Sequence, residues 1–63
     1  MHTKAYLAGF DSGLNGTGTA FRNYRETVAA GIFPASKQNS SEFMRGFNEG
    51  LRINASRLTI YKT

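Results

Sequence analysis

Apolar residues recur along this chain at spacings of three and four, in three separate stretches divided by polar turns. In the first, Tyr6, Leu7, Phe10 and Leu14 fall on one stripe of a helix. Thr3 stands just ahead, where its hydroxyl can accept a free backbone N–H, and Asn15-Gly16-Thr17-Gly18 ends the pattern. The second begins after Thr19 as cap, with Phe21, Tyr24 and Val28 on one stripe and Arg22 four residues before Glu26 on another. Gly31 suits the left-handed position past a helix end, and Pro34 forbids an immediate restart. Residues 35 to 41 are a polar connection, closed by Asn39 and Glu42 in the spacing of a capping box. A third helix is predicted from about residue 40 to 56, with Phe43, Phe47, Leu51, Asn54 and Leu58 on its main face. Leu58-Thr59-Ile60-Tyr61-Lys62 mixes β-branched and aromatic residues, and leaves open a longer helix, a frayed end or a short strand.

The first and third stretches repeat each other. Tyr6-Leu7-Ala8-Gly9-Phe10-Asp11-Ser12-Gly13-Leu14 and Phe43-Met44-Arg45-Gly46-Phe47-Asn48-Glu49-Gly50-Leu51 share the order aromatic, aliphatic, x, Gly, Phe, polar, polar, Gly, Leu at an offset of 37 residues. A glycine inside a helix costs about 1 kcal/mol relative to alanine, so four of them call for a packing reason. Gly9 and Gly13, like Gly46 and Gly50, are four apart, and each pair opens a groove bare of side chains. The expected fold is all-α: a small hairpin of two Gly-containing helices packed antiparallel about a pseudo-twofold axis, with a short helix inserted between them. Tyr6, Phe10, Phe21, Tyr24, Phe43 and Phe47 hold core spacing, whereas Phe33 and Tyr61 fall outside the stripes and are the candidates for exposed contacts. The same grooves also offer an alternative use, a homodimer through Gly9, Gly13, Gly46 and Gly50.

Sixty-three residues make one domain and bury roughly 60% of the unfolded surface. An enclosed cofactor site is therefore not expected. The chain has no cysteine, hence no disulfide or thiolate zinc site. No apolar run approaches a membrane span or a signal-peptide core, so the expectation is a cytoplasmic protein with no membrane partner. The net charge of +4 favours polyanions. Lys4, Arg22, Arg25, Lys37, Arg45, Arg52, Arg57 and Lys62 are nevertheless spread along the chain, and a solvated basic surface explains them as readily as a nucleic-acid footprint.

Catalytic chemistry is poorly provided for. His2 stands alone beside the initiating methionine, and Asp11, Glu26, Glu42 and Glu49 have no spacing that requires a metal. Gly13-Leu14-Asn15-Gly16-Thr17-Gly18 imitates a phosphate loop, but no strand precedes it and no Lys-Ser or Lys-Thr pair follows. Neither a catalytic residue, a metal nor a cofactor is assigned.

Gly9-Phe10-Asp11-Ser12-Gly13-Leu14-Asn15-Gly16 resembles the Gly-aromatic-x-x-Gly-aliphatic-x-Gly opening of the ribosome modulation factor family, small bacterial proteins associated with ribosome hibernation. Phe43-Met44-Arg45-Gly46-Phe47-Asn48-Glu49-Gly50 is similar to that family's second motif, and Pro34 stands nine residues before Phe43, close to the spacing from the family's proline turn. The departures are specific. The family's basic N-terminal run is reduced to Lys4, and the tryptophans of its second motif are phenylalanines. Phe33 and Ala35 replace the residues around the proline, and the link between motifs is longer. Such diverged domains also occur in phage and accessory-element proteins. The resemblance implies a non-enzymatic ribosome or RNA binder that modulates translation. Arg22, Arg25, Lys37, Arg45, Arg52 and Arg57 are the candidate phosphate contacts. The competing expectation is a small inhibitor or modulator of a host enzyme, of the kind phages encode, that acts through a helix face or a homodimer.

Overall fold

A computed structural model of the chain describes residues 2–62, with side chains to residue 57. It contains three helices, α1 (Lys4–Asn15), α2 (Ala20–Ala29) and α3 (Lys37–Lys62), and no strand among the described residues. Local chemistry sets most of the boundaries. The Thr3 hydroxyl accepts from the Tyr6 N–H at 3.1 Å, and the Thr19 hydroxyl from the Arg22 N–H at 3.3 Å. Gly16 closes α1 in the left-handed region at φ 67°. At the end of α2, Gly31 has φ 79°, and its N–H donates to the Val28 carbonyl while that of Ile32 donates to Thr27. These paired bonds make a Schellman motif, which satisfies carbonyls that the helix end leaves open.

The start of α3 differs from the sequence expectation. The Ser36 hydroxyl accepts from the Asn39 N–H at 3.0 Å, so the helix begins one turn earlier than a cap at Asn39 would allow. Asn39 instead donates its side-chain amide to the Pro34 carbonyl at 2.8 Å, and Glu42 lies 4.0 Å from Arg45. The capping box fails because Ser36, immediately after the proline turn, reaches the free N–H groups first. At the other end α3 continues through Lys62, so the last residues extend the helix. The predicted roles of the Leu58 and Tyr61 side chains lie outside the described residues.

All four paired glycines are buried where α1 crosses α3. A methyl group on Gly9 would strike the Phe43 carbonyl, and one on Gly46 would strike the Tyr6 carbonyl; Gly13 and Gly50 face the Phe47 and Phe10 carbonyls in the same way. A methyl group on Gly13 would also come within 2.9 Å of the Leu51 nitrogen, and one on Gly50 within 2.8 Å of that of Leu14. Every one of these contacts maps onto its partner by the offset of 37 residues, so the sequence repeat is the symmetry of the crossing. So close an approach brings each backbone onto the other and permits Cα–H···O contacts.

The contacts also fix direction. Gly9 meets Phe43 and Gly13 meets Phe47 and Leu51, so positions advance together along both helices. α1 and α3 therefore run parallel, which corrects the antiparallel hairpin expected from the repeat. The reason is the inserted helix. α2 is nearly as long as α1, about 15 Å against about 18 Å at 1.5 Å per residue. It returns the chain to the end at which α1 began, and α3 starts again from there.

α2 covers one side of this pair. Phe43 and Phe47 are buried with Ala5 and Phe33, and Ala8, Ala20, Tyr24 and Val28 pack against them. Phe33, expected outside the core, is only 7% exposed. Its ring lies 5.9 Å from Tyr24 and 6.2 Å from Phe43, and Tyr24 meets Phe43 edge-on at 5.7 Å. The residues after Gly31 fold back over α3 and carry Phe33 inward, an effect of the turn that helical spacing cannot register. Phe21 moves the opposite way. Counted as core on spacing, it is 64% exposed on the outer flank of α2.

Candidate nucleic-acid interface

The six candidate contacts Arg22, Arg25, Lys37, Arg45, Arg52 and Arg57 are all exposed or half-buried at the surface, with their charged ends in solvent. They do not form one patch. Successive residues turn about 100° around a helix, which sets Arg45 and Arg52 roughly 140–180° from Phe43 and Phe47, the residues that face α2. Arg57 lies within roughly 80° of those two phenylalanines. Arg22 and Arg25, on α2 itself, thus belong to the side that carries α2, and Arg45 and Arg52 to the opposite side, while Arg57 continues the face of α3 that bears Gly46 and Gly50 beyond the end of α1. Lys37 stands at the first turn of α3.

The two sides differ in how free their charges are. On the far side, Arg45 is 4.0 Å from Glu42, and Arg52 bonds Glu49 with its Nη2 at 2.6 Å and its Nε at 3.4 Å. The hydrogen bond from Arg52 holds the Glu49 carboxyl below its ordinary pKa, and the same bond raises Arg52. Both Glu and Arg recur every seven residues, so the far side of α3 carries two ion pairs, of which only Arg52–Glu49 is hydrogen-bonded. On the near side, Arg22 pairs with Glu26 at 3.5 Å, with both side chains well exposed. An exposed pair of this spacing is worth only about 0.3–0.5 kcal/mol and yields readily to a stronger anion. Among the described residues no ion pair involves Arg25, Lys37 or Arg57. The Arg25 guanidinium carbon lies instead 5.9 Å from the centre of the exposed Phe21 ring, within cation–π range.

α2 is oriented by its neighbours. The Asn23 amide donates to the Ser12 hydroxyl at 2.7 Å and to the Thr17 carbonyl at 2.8 Å, which ties one flank of α2 to the end of α1. On its inner face, the Tyr24 hydroxyl exchanges hydrogen bonds with the Ser36 carbonyl and N–H, each at 3.2 Å. Phe21 and Arg25 stand on the flank opposite Asn23, over the α3 side, where Leu51 is also partly exposed. Along the α1 flank runs an open groove of about 350 Å³ between Ser12, Asn23, Thr27 and Ile32. Within it the Asn23 amide is bonded to the Ser12 hydroxyl, and the Thr27 hydroxyl donates to the Asn23 backbone carbonyl at 2.6 Å.

No group of three or more metal-ligating side chains occurs among the described residues. His2 is exposed and stacks on Tyr6, with ring centres 4.0 Å apart. Nor is any described helix long and apolar enough to cross a membrane. The glycine grooves expected to serve a homodimer are filled within the chain: Gly9, Gly13, Gly46 and Gly50 are buried against backbone, so a second copy has no access to them. Exposure of Phe21 is the feature of this side that spacing concealed. Its position beside Arg22 and Arg25 is the one mark it left in the sequence. Comparisons with protein-family models, curated proteins and solved structures find no match.

Proposed function

We propose that this protein is a non-enzymatic RNA-binding module, and that it meets RNA with the side that carries α2. One observation supports this above the rest: an unpaired arginine, Arg25, stands over an exposed aromatic ring, Phe21, with Arg22 beside it on the same helix. Cations that hold the backbone beside a ring that accepts a base are the combination that nucleic-acid surfaces use. The net charge of +4 draws polyanions to the molecule. Ribosomal RNA is the first substrate to examine, because the two glycine motifs resemble those of ribosome modulation factor, and modulation of translation is the role such binding would serve.

Counterion release gives the test. Binding of ribosomes and of a ribosomal RNA fragment, followed by filter retention at 50 and 200 mM salt, is expected to weaken by an order of magnitude or more across that range. Absence of association at the lower salt overturns the proposal. A salt-resistant complex with a protein in its place would favour the modulator reading.

A further inference from the structure

We infer that Phe21 and Arg25 form a stacking platform for an unpaired base, so that the protein prefers single-stranded or looped RNA to duplex. This inference rests on the RNA-binding reading above. Among the described residues Phe21 is the most exposed of the large apolar side chains, and none of the close ring pairs includes it. In a domain of 63 residues each buried phenylalanine is a large part of the core, so a ring left in water at the edge of α2 forgoes a stabilisation the fold needs. The ring is also held in place. α2 is fixed by Asn23 on one flank and Tyr24 beneath, and Arg25, one turn on, leans over Phe21.

The occupant follows from charge and shape. Arg25, free of any ion pair among the described residues, and Arg22, whose exposed pair with Glu26 yields to a stronger anion, favour an anionic partner, which disfavours an uncharged apolar peptide. A planar base is apolar on its face and carries a phosphate on either side, so one nucleotide satisfies both the ring and the arginines. In duplex RNA the base faces are already stacked on one another and out of reach, whereas loops and single strands offer them. The opposite side of the molecule lacks this combination. Its arginines are paired with Glu42 at 4.0 Å and with Glu49 by hydrogen bonds, and its rings, Tyr6 and Phe10, are half-buried against the helix pair.

Because the chain contains no tryptophan, a Phe21→Trp variant places a single fluorescent reporter at the platform. Titration with a labelled single-stranded RNA and with its duplex, read by anisotropy of the label and by emission of the introduced indole, separates the possibilities. The expected result is quenching of that emission by the single strand, a loss of about ten- to hundredfold in single-strand affinity for Phe21→Ala, near-normal affinity for Phe21→Tyr, and little change in duplex binding. Anisotropy that reports single-strand binding without quenching, or a Phe21→Ala variant that loses equally for both RNAs, overturns the platform and leaves RNA binding intact. If the wild-type chain binds neither RNA at low salt, both readings fall. Thermal unfolding superimposable on wild type confirms that each variant is folded.

Discussion

Alanine at Gly9, Gly13, Gly46 or Gly50 sets two effects of opposite sign against each other. Helix propensity favours alanine by about 1 kcal/mol. The added methyl group, however, would sit against a backbone carbonyl of the facing helix, and backbone cannot turn aside as a side chain can. Forced overpacking costs about 1–3 kcal/mol, and here it meets the closest contact in the fold. Gly46→Ala should therefore lower the melting temperature, by about 4–8 °C for each net kcal/mol in a domain of this size, and circular dichroism on heating measures it. A Gly46→Ala protein as stable as wild type would contradict the crossing. The need for bare helix backbone was legible in the repeat itself. The fates of Phe33 and Phe21 were not, because helical spacing describes position within an element and says nothing of a ring delivered by a turn or of a flank left without a neighbour. Phe33→Ala should cost about 3–5 kcal/mol, enough to unfold a domain whose whole stability is of that order, whereas Phe21→Ala should stay within about 0.5 kcal/mol of wild type. Denaturant midpoints distinguish the two.

Each helix existed in the apolar pattern before it existed in space, and α1 and α2 keep the caps that Thr3 and Thr19 advertise. The start of α3 was misplaced because two cap candidates lie three residues apart, and only the path of the chain after Pro34 selects between them. Ser36→Ala is expected to cost about 1 kcal/mol, while Glu42→Ala, which removes no cap, should cost less; equal losses would restore the capping box. On the outer side of α3 the Glu49–Arg52 bond carries a pH signature. The folded state lowers the Glu49 pKa, so the contribution of the pair is present above the ordinary glutamate range and disappears as the pH falls through the depressed value. Wild type and Glu49→Gln should thus differ in stability near neutral pH and converge in strong acid; a constant difference at every pH would show that the pair contributes nothing through its charge.

For the whole molecule, the number of helices and the symmetry of the outer pair are written in the sequence, but their relative direction is not. A repeat with glycines four apart fits a parallel or an antiparallel crossing equally well, and the length of α2 is what selects the parallel one. That choice has a functional consequence. With α1 and α3 parallel and α2 laid across one side, four arginines divide between two surfaces, one bearing Phe21, the unpaired Arg25 and Arg22 with its exposed pair to Glu26, the other bearing Arg45 and Arg52 paired with Glu42 and Glu49. Four arginines scattered through the sequence thereby become one candidate interface beside an exposed ring and one flank of paired charges, a distinction that charge counting cannot make. The claim is tested by removing two positive charges from either side and comparing RNA affinity at one salt concentration. Arg22→Gln with Arg25→Gln should weaken binding by at least about tenfold and flatten its salt dependence, while Arg45→Gln with Arg52→Gln, equal in net charge, should change it by no more than about threefold. Equal losses from the two double variants, or a greater loss from the second, would contradict the account.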